Sequence, residues 1–297
     1  MTPLQAFPFP KFKGQSPSWT GNEFVLSGQK LDYLCYDEAE SGWSQDLTDL
    51  HEKEAGDGNH PIDLLSRNRA IESMTPVIKN QGVVLDVGCS SGFLLRQIKG
   101  AYPQSQLMGA DYLPGIVLKC AKKSHGIPML QFDLRNCPLL DNSLDGVVAL
   151  NVLEHIDEDV KALGHIFRIL KPGGIAHIEV PAGPALYDFY DEVLMHHRRY
   201  QLLAFREKVQ NAGFRVSVAT HLGFLLFPGF AWVKLRNRTK LGLSATEKAA
   251  LVASQIRTTK SSKLIRTLMA AESKLGSLMS LPCGIRCIVV ANKPTNV

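Results

Sequence analysis

The sequence has no apolar run long enough to cross a bilayer. Its longest, Leu222 to Val233, is 12 residues with Pro228 and Gly229 inside it, short of the ~20 that a spanning helix needs. The N-terminal stretch MTPLQAFPFPKFKGQ is broken by Pro3, Pro8 and Pro10 and lacks an apolar centre, so no signal peptide is expected. Six cysteines in 297 residues follow no regular spacing, which argues against a disulfide framework and for a reducing, cytoplasmic setting. Cys283 and Cys287 make a lone C-x3-C with no second pair, so no metal site is expected. Internal repeats and low-complexity tracts are absent too.

Hydrophobic residues make up 45% of the chain and charged residues 21%, a balance that builds a packed core. The net charge of +5 is unevenly spread. Between Lys234 and Lys274 stand ten Lys and Arg against two Glu, so this segment holds more positive charge than the whole chain. The basic residues are not interleaved with aromatics, and no RNA-binding module precedes them, so nucleic acid is not an expected partner.

From Pro61 the pattern alternates. Pro61 to Asn80 has apolar residues at helical spacing, then VVLDVG, QLMGADY, PMLQFDL, SLDGVVALNVL and GIAHIEVPA read as strands with helical segments between them. Gln201 to Gly213 reads as a helix, Phe214 to Leu222 as a sixth strand and Arg286 to Asn292 as the last. Such alternation implies a parallel sheet with helices on both faces and ligand-binding loops along one edge. Residues 1–60 read as an irregular extension, 61–221 as the core, 222–284 as a helical cap insertion and 285–297 as the final strand and tail. Ser244 and Glu247 have capping-box spacing at the start of the cap's helical part.

The first strand-to-helix turn is Leu85-Asp86-Val87-Gly88-Cys89-Ser90-Ser91-Gly92. Glycine lets the backbone pass close to a ligand, and the helix start offers free N–H groups. A dinucleotide fingerprint G-x-G-x-x-G fails, because Ser90 and Phe93 occupy the next two glycine positions, and a P-loop Gly-Lys-Ser/Thr is missing. Polar residues close the next three strands instead: Asp111, Asp133 and Asn151, spaced 25, 22 and 18 residues apart from Asp86 onward. One such residue could be a helix cap; four in register converge on one crevice.

LDVGCSSGFLL, GADY, FDL, NVLEHI and LKPGG together resemble the successive motifs of class I S-adenosylmethionine-dependent methyltransferases, in the ubiquinone/menaquinone-type and small-molecule branch, over about residues 60–220. The resemblance implies a Rossmann-like α/β fold with a seven-stranded sheet of order 3-2-1-4-5-7-6, the last strand antiparallel. It implies S-adenosyl-L-methionine as cofactor, with Asp86, Gly88, Cys89 and Gly92 at its methionine end. Asp111 and Tyr112 would meet the ribose, Asp133 and the Leu134 backbone the adenine, and Asn151 the floor. Ser90 departs from the glycine that many members carry, although a small residue remains.

Methyl transfer to oxygen needs a base, whereas an amine or a stabilised carbanion can do without one. The candidates are His155, in NVLEHI, and His196. The latter lies in the connection VPAGPALYDFYDEVLMHHRRYQ, which also supplies Tyr187, Asp191, His197, Arg199 and Tyr200 as candidate acceptor-binding residues. Resembling enzymes often carry an H-x-R-R-Y-like segment there. The expected acceptor is a small molecule or a lipid-linked one. The apolar stretch and the basic residues after it (222–240) read either as a lid or as a peripheral membrane contact. The other function weighed is a non-catalytic binding subunit that keeps the fold.

Overall fold

The computed structural model describes residues 7, 9–37, 59–237 and 242–295. Residues 1–6, 8 and 38–58 of the N-terminal extension, like residues 238–241, 296–297 and the side chains of Arg257 and Lys260, lie outside that description.

In chain order, β1 (Ser18–Trp19), β2 (Phe24–Leu26) and β3 (Gln29–Leu31) form an antiparallel meander, followed by β4 (Leu34–Cys35). Helix α1 (Pro61–Lys79) starts on a proline whose missing N–H costs nothing in a first turn. The core then runs β5 (Val83–Val87), α2 (Phe93–Ala101), β6 (Gln106–Asp111), α3 (Pro114–Lys123), β7 (Met129–Gln131), β8 (Leu144–Leu150), α4 (Asp159–Ile169) and β9 (Leu170–Pro181). After it come α5 (Phe189–Val193), α6 (Leu202–Asn211), β10 (Arg215–Leu222), α7 (Phe227–Asn237), α8 (Ala245–Ser261), α9 (Lys263–Leu278) and β11 (Arg286–Asn292).

The main sheet has the order β10-β11-β9-β8-β5-β6-β7-β4. Counted from β5, the core strands lie 3-2-1-4-5-7-6, as the resemblance implies, and β11 is antiparallel to both neighbours. One strand is added. β4 pairs in parallel with β7 through Leu34↔Leu130 and Cys35↔Gln131, so the sheet has eight strands rather than seven. A three-residue edge strand leaves its outer N–H and C=O groups unpaired, and the extension covers them. Two residues within DYLCYD carry no periodicity, so this strand has no signal in the sequence.

Alternation along β5 divides the core. Val83, Leu85 and Val87 join the cluster under α4 and α6, which also takes Phe12 and Phe24 of the extension. Val84 joins the opposite cluster under α1, α2 and α3. The sheet thus carries helices on both faces, and its strand ends hold the turns Gly88–Gly92, Asp111–Leu113 and Asn151–His155 on one edge.

The cap is tied on by a third cluster, in which Leu222, Ile285 and Met269 pack on Ile62 and Leu65 of α1. Ser244 and Glu247 form the expected capping box at the start of α8. Among the described residues, no helix is long and apolar enough to cross a membrane.

Candidate active site

The β5–α2 turn needs backbone that ordinary residues avoid. Gly88 has φ 68°, and a Cβ there would come within 2.5 Å of Val152 Cγ2. Gly92 has φ 70° at the N-cap of α2, where a Cβ would meet Cys120 Sγ at 2.6 Å. Ser90, between them, also has a left-handed φ, 45°, at a cost of roughly 1–2 kcal/mol for a residue with a Cβ. Asp111 steadies the turn from β6: its carboxylate accepts from Ser90 N–H at 3.0 Å and Leu113 N–H at 3.2 Å. Asn151, left-handed at φ 54°, donates its backbone N–H to Glu179 O and its Nδ2 to Glu179 Oε1 at 3.2 Å.

A cavity of about 830 Å³ begins at this turn and continues beneath the cap. Asp86, Gly88, Cys89 and Asn151 line its inner end, Glu154, His155, His196 and Arg199 its middle, and Phe230, Val233, Lys234 and Ile265 its outer part. Two buried ionic groups build the walls. In the first, Glu179 accepts from Ser66 Oγ at 2.8 Å and Arg286 Nη1 at 2.8 Å, while Arg286 Nη2 reaches Asp63 at 2.6 Å. In the second, Asp191 is wholly buried and accepts from His196 Nδ1 at 2.9 Å, Arg199 Nε at 2.9 Å and Lys234 Nζ at 3.0 Å. Lys234 also donates to Asp188 at 2.6 Å, and Asn237 holds that carboxylate's other oxygen at 2.8 Å.

These partners set the charges. Burial alone would raise Asp191, but His196, Arg199 and Lys234 hold it well below the usual carboxylate range. Burial lowers His196 despite Asp191, so the ring is neutral near pH 7. An ionised carboxylate only accepts, so Nδ1 carries the proton and Nε2 the lone pair. Burial pushes Asp86 well above the ordinary carboxylate range, with Arg67 opposing it. Glu154 is pushed up to about 8 by burial, and neither of its oxygens has a hydrogen-bond partner among the described residues.

Residues 85–178, which run from β5 into β9 and include the turn just described, match the family model described as a methyltransferase domain. This stretch of the chain is thus similar to the class I S-adenosylmethionine-dependent methyltransferases. The ubiquinone/menaquinone biosynthesis C-methyltransferase of Desulfotalea psychrophila is 28% identical over 95 residues, 31% of this chain and 39% of that protein. The demethylmenaquinone methyltransferase of Thermus thermophilus is 28% identical over 127 residues, 41% of this chain and 57% of that one. The solved Haemonchus contortus phosphoethanolamine N-methyltransferase 2, in complex with phosphomonomethylethanolamine and S-adenosylhomocysteine, shares the fold. Its TM-score is 0.56 at 18% identity, over 86% of this chain and 59% of that one. The chain thus spans about two fifths to three fifths of the length of these relatives.

Within the methyltransferase domain the structure brings together some candidate residues and separates others. Asp86, Gly88, Cys89 and Asn151 line the cavity, as do His155, His196 and Arg199, whereas Gly92, Asp111, Tyr112, Asp133 and Leu134 stand outside its lining. Asp133 faces Arg135, which grips it through Nε at 2.9 Å and Nη2 at 2.7 Å. In the later connection, Tyr187 Oη donates to His196 O at 2.8 Å, and Tyr200 Oη donates to Asp159 at 2.8 Å from a buried position. His197 is exposed, and its N–H donates to Glu154 O at 2.7 Å. Asp191 is committed to protein partners rather than open to a ligand.

Several wall residues had no signal in the sequence. Glu179, Arg286, Asp63 and Ser66 meet across separations of up to 223 residues. Lys234 reads as the first of a solvated basic run, yet it is buried at 4% exposure. Its position at the end of an apolar stretch is the one hint that it turns inward.

Proposed function

We propose that this protein transfers a methyl group from S-adenosylmethionine to an oxygen of a small-molecule or lipid-linked acceptor held under the cap. The observation that carries this reading is the continuity of one cavity from the Gly88 turn to the Asp191–His196 pair. Its volume of about 830 Å³ falls in the range of pockets that enclose drug-sized ligands, so the methionine end of a cofactor and an acceptor can share it. The cofactor's ammonium would supply the cation that buried Asp86 is short of. The turn's N–H groups would face its carboxylate, with Asn151 beneath. Asp111 and Tyr112 are assigned to the ribose, and Asp133 and Leu134 to the adenine. A carboxylate has roughly four lone-pair sites, so the Arg135 fork leaves Asp133 acceptor capacity.

Displacement at a sulfonium methyl is one step, and much of its rate comes from holding donor and acceptor in line. Oxygen is favoured over carbon or nitrogen because the site offers a proton acceptor: neutral His196, its Nδ1–H fixed by Asp191, presents Nε2 as the base. His155, with its ring centroid 4.7 Å from that of His196, is the neighbouring candidate. Arg199 and Tyr187 support acceptor binding by fixing His196 and its pair. The apolar roof, Phe230, Val233 and Ile265, suits an acceptor with a hydrophobic part, and a lid role for residues 222–237 accounts for it without a membrane.

Calorimetric titration with S-adenosylmethionine and S-adenosylhomocysteine tests the reading. Wild type is expected to bind both at micromolar level, and Asp111→Ala to lose about 10-fold or more, the equivalent of ~1.4 kcal/mol. Absence of binding to the wild type would sink the proposal.

A further inference from the structure

We infer that Glu154, His155 and His196 bind one divalent first-row transition-metal ion on the middle wall of the cavity. The inference shares that cavity with the proposed reaction but concerns a separate ligand. One ligand atom from each of the three residues lies within 4.8 Å of the others. Two come from the short helical turn Leu153–His155 after β8. The third arrives from the segment after α5, which the His197 N–H to Glu154 O bond docks against that turn.

Glu154 supplies the second, independent observation. Its side chain is fully buried and lines the cavity, and both carboxylate oxygens lack a hydrogen-bond partner among the described residues. Burying an acid without a partner costs several kcal/mol, so retained acids are normally paired or coordinate a metal. The nearby side-chain cations are already matched. Lys234 and Arg199 face Asp188 and Asp191, and Arg286 faces Glu179 and Asp63. Those pairs leave Glu154 without a partner for either oxygen among the described residues.

The outer contacts also fit a metal. His196 Nδ1 is held by Asp191 at 2.9 Å, the carboxylate–histidine arrangement that fixes the tautomer and aim of a metal-binding imidazole. Two imidazoles and a carboxylate suit Zn²⁺, Fe²⁺ or Co²⁺ and leave coordination positions open toward the cavity. An acceptor oxygen bound there would have its pKa lowered by the ion's charge. The two imidazole roles exclude each other, because a nitrogen whose lone pair is on a metal accepts no proton. His196 is then a ligand in the loaded protein and a base only in the metal-free one.

The test strips the full chain with a chelator and titrates it with Co²⁺ and Zn²⁺, following visible Co²⁺ bands and heat. The expected result is one ion per chain at about 10 μM or tighter, with Zn²⁺ raising the melting temperature. Glu154→Gln keeps the shape, and it and His196→Ala should each weaken binding about 100-fold or more; circular dichroism checks that the variants fold. No stoichiometric binding to wild type overturns the inference, as does a folded Glu154→Gln that binds like wild type. Wild type that binds S-adenosylmethionine but no metal sinks this inference alone. Wild type that binds metal at these residues but no S-adenosylmethionine upholds it and sinks the reaction proposed above.

Discussion

At the scale of single residues, burial decides protonation where no charged partner opposes it. His177, on β9, is almost wholly buried, with Nδ1 2.9 Å from Ser73 Oγ on α1, and burial lowers its pKa to about 3. In the unfolded chain a histidine titrates near 6.5. Between these values the unfolded state holds a proton that the folded state does not. His177 therefore costs no stability above about pH 6.5 and progressively destabilises the fold as the pH drops toward 3, by at most ~1.4 kcal/mol per pH unit. Urea unfolding at pH 8 and pH 5.5 should show wild type losing more stability than His177→Gln over that interval. Equal losses in both proteins would remove His177 from the account. The same burial leaves Glu154 short of a partner and His196 neutral, which is why these two residues carry the chemistry proposed here.

At the scale of elements, the β5–α2 turn is the most constrained piece of chain. Gly88→Ala would put a Cβ 2.5 Å from Val152 Cγ2 while holding φ at 68°. Strain and overpacking together should cost about 2–4 kcal/mol. A fall in melting temperature with weaker S-adenosylmethionine binding is the expected outcome; an unchanged protein would mean the turn relaxes freely. This turn was legible from the sequence, because glycine and small polar residues after a short apolar strand state a local backbone requirement. So were α1, β5–β9 and the final strand, whose periodicities are local too. β4 was not legible: a two-residue strand is defined by its partner β7 rather than by its own pattern.

At the scale of the molecule, the cap is joined to the core by charge as well as by apolar packing. Lys234 of α7 binds Asp188 and Asp191 at the α5 end of the cavity. Lys234→Met would leave two buried carboxylates with less cationic partnership and should cost about 3–5 kcal/mol. The more open pair Lys248–Glu192, at 3.2 Å, should contribute less than ~1 kcal/mol when Lys248→Ala removes it. Chemical denaturation of both variants checks the contrast, and similar losses would show that burial does not set the value of these pairs.

The amino-acid sequence by itself determined the alternating α/β pattern, the cofactor-type turn and the polar residues at the strand ends, because each depends on residues within a few positions of one another. Tertiary structure alone decided which charges meet. The contacts His155–His196 and Asp191–Lys234 and the bridge Asp63–Arg286–Glu179 join residues 41 to 223 positions apart. Such meetings follow from how helices and strands pack, and an ionisable side chain reads the same in a sequence whether packing leaves it in water or seals it beneath a cap.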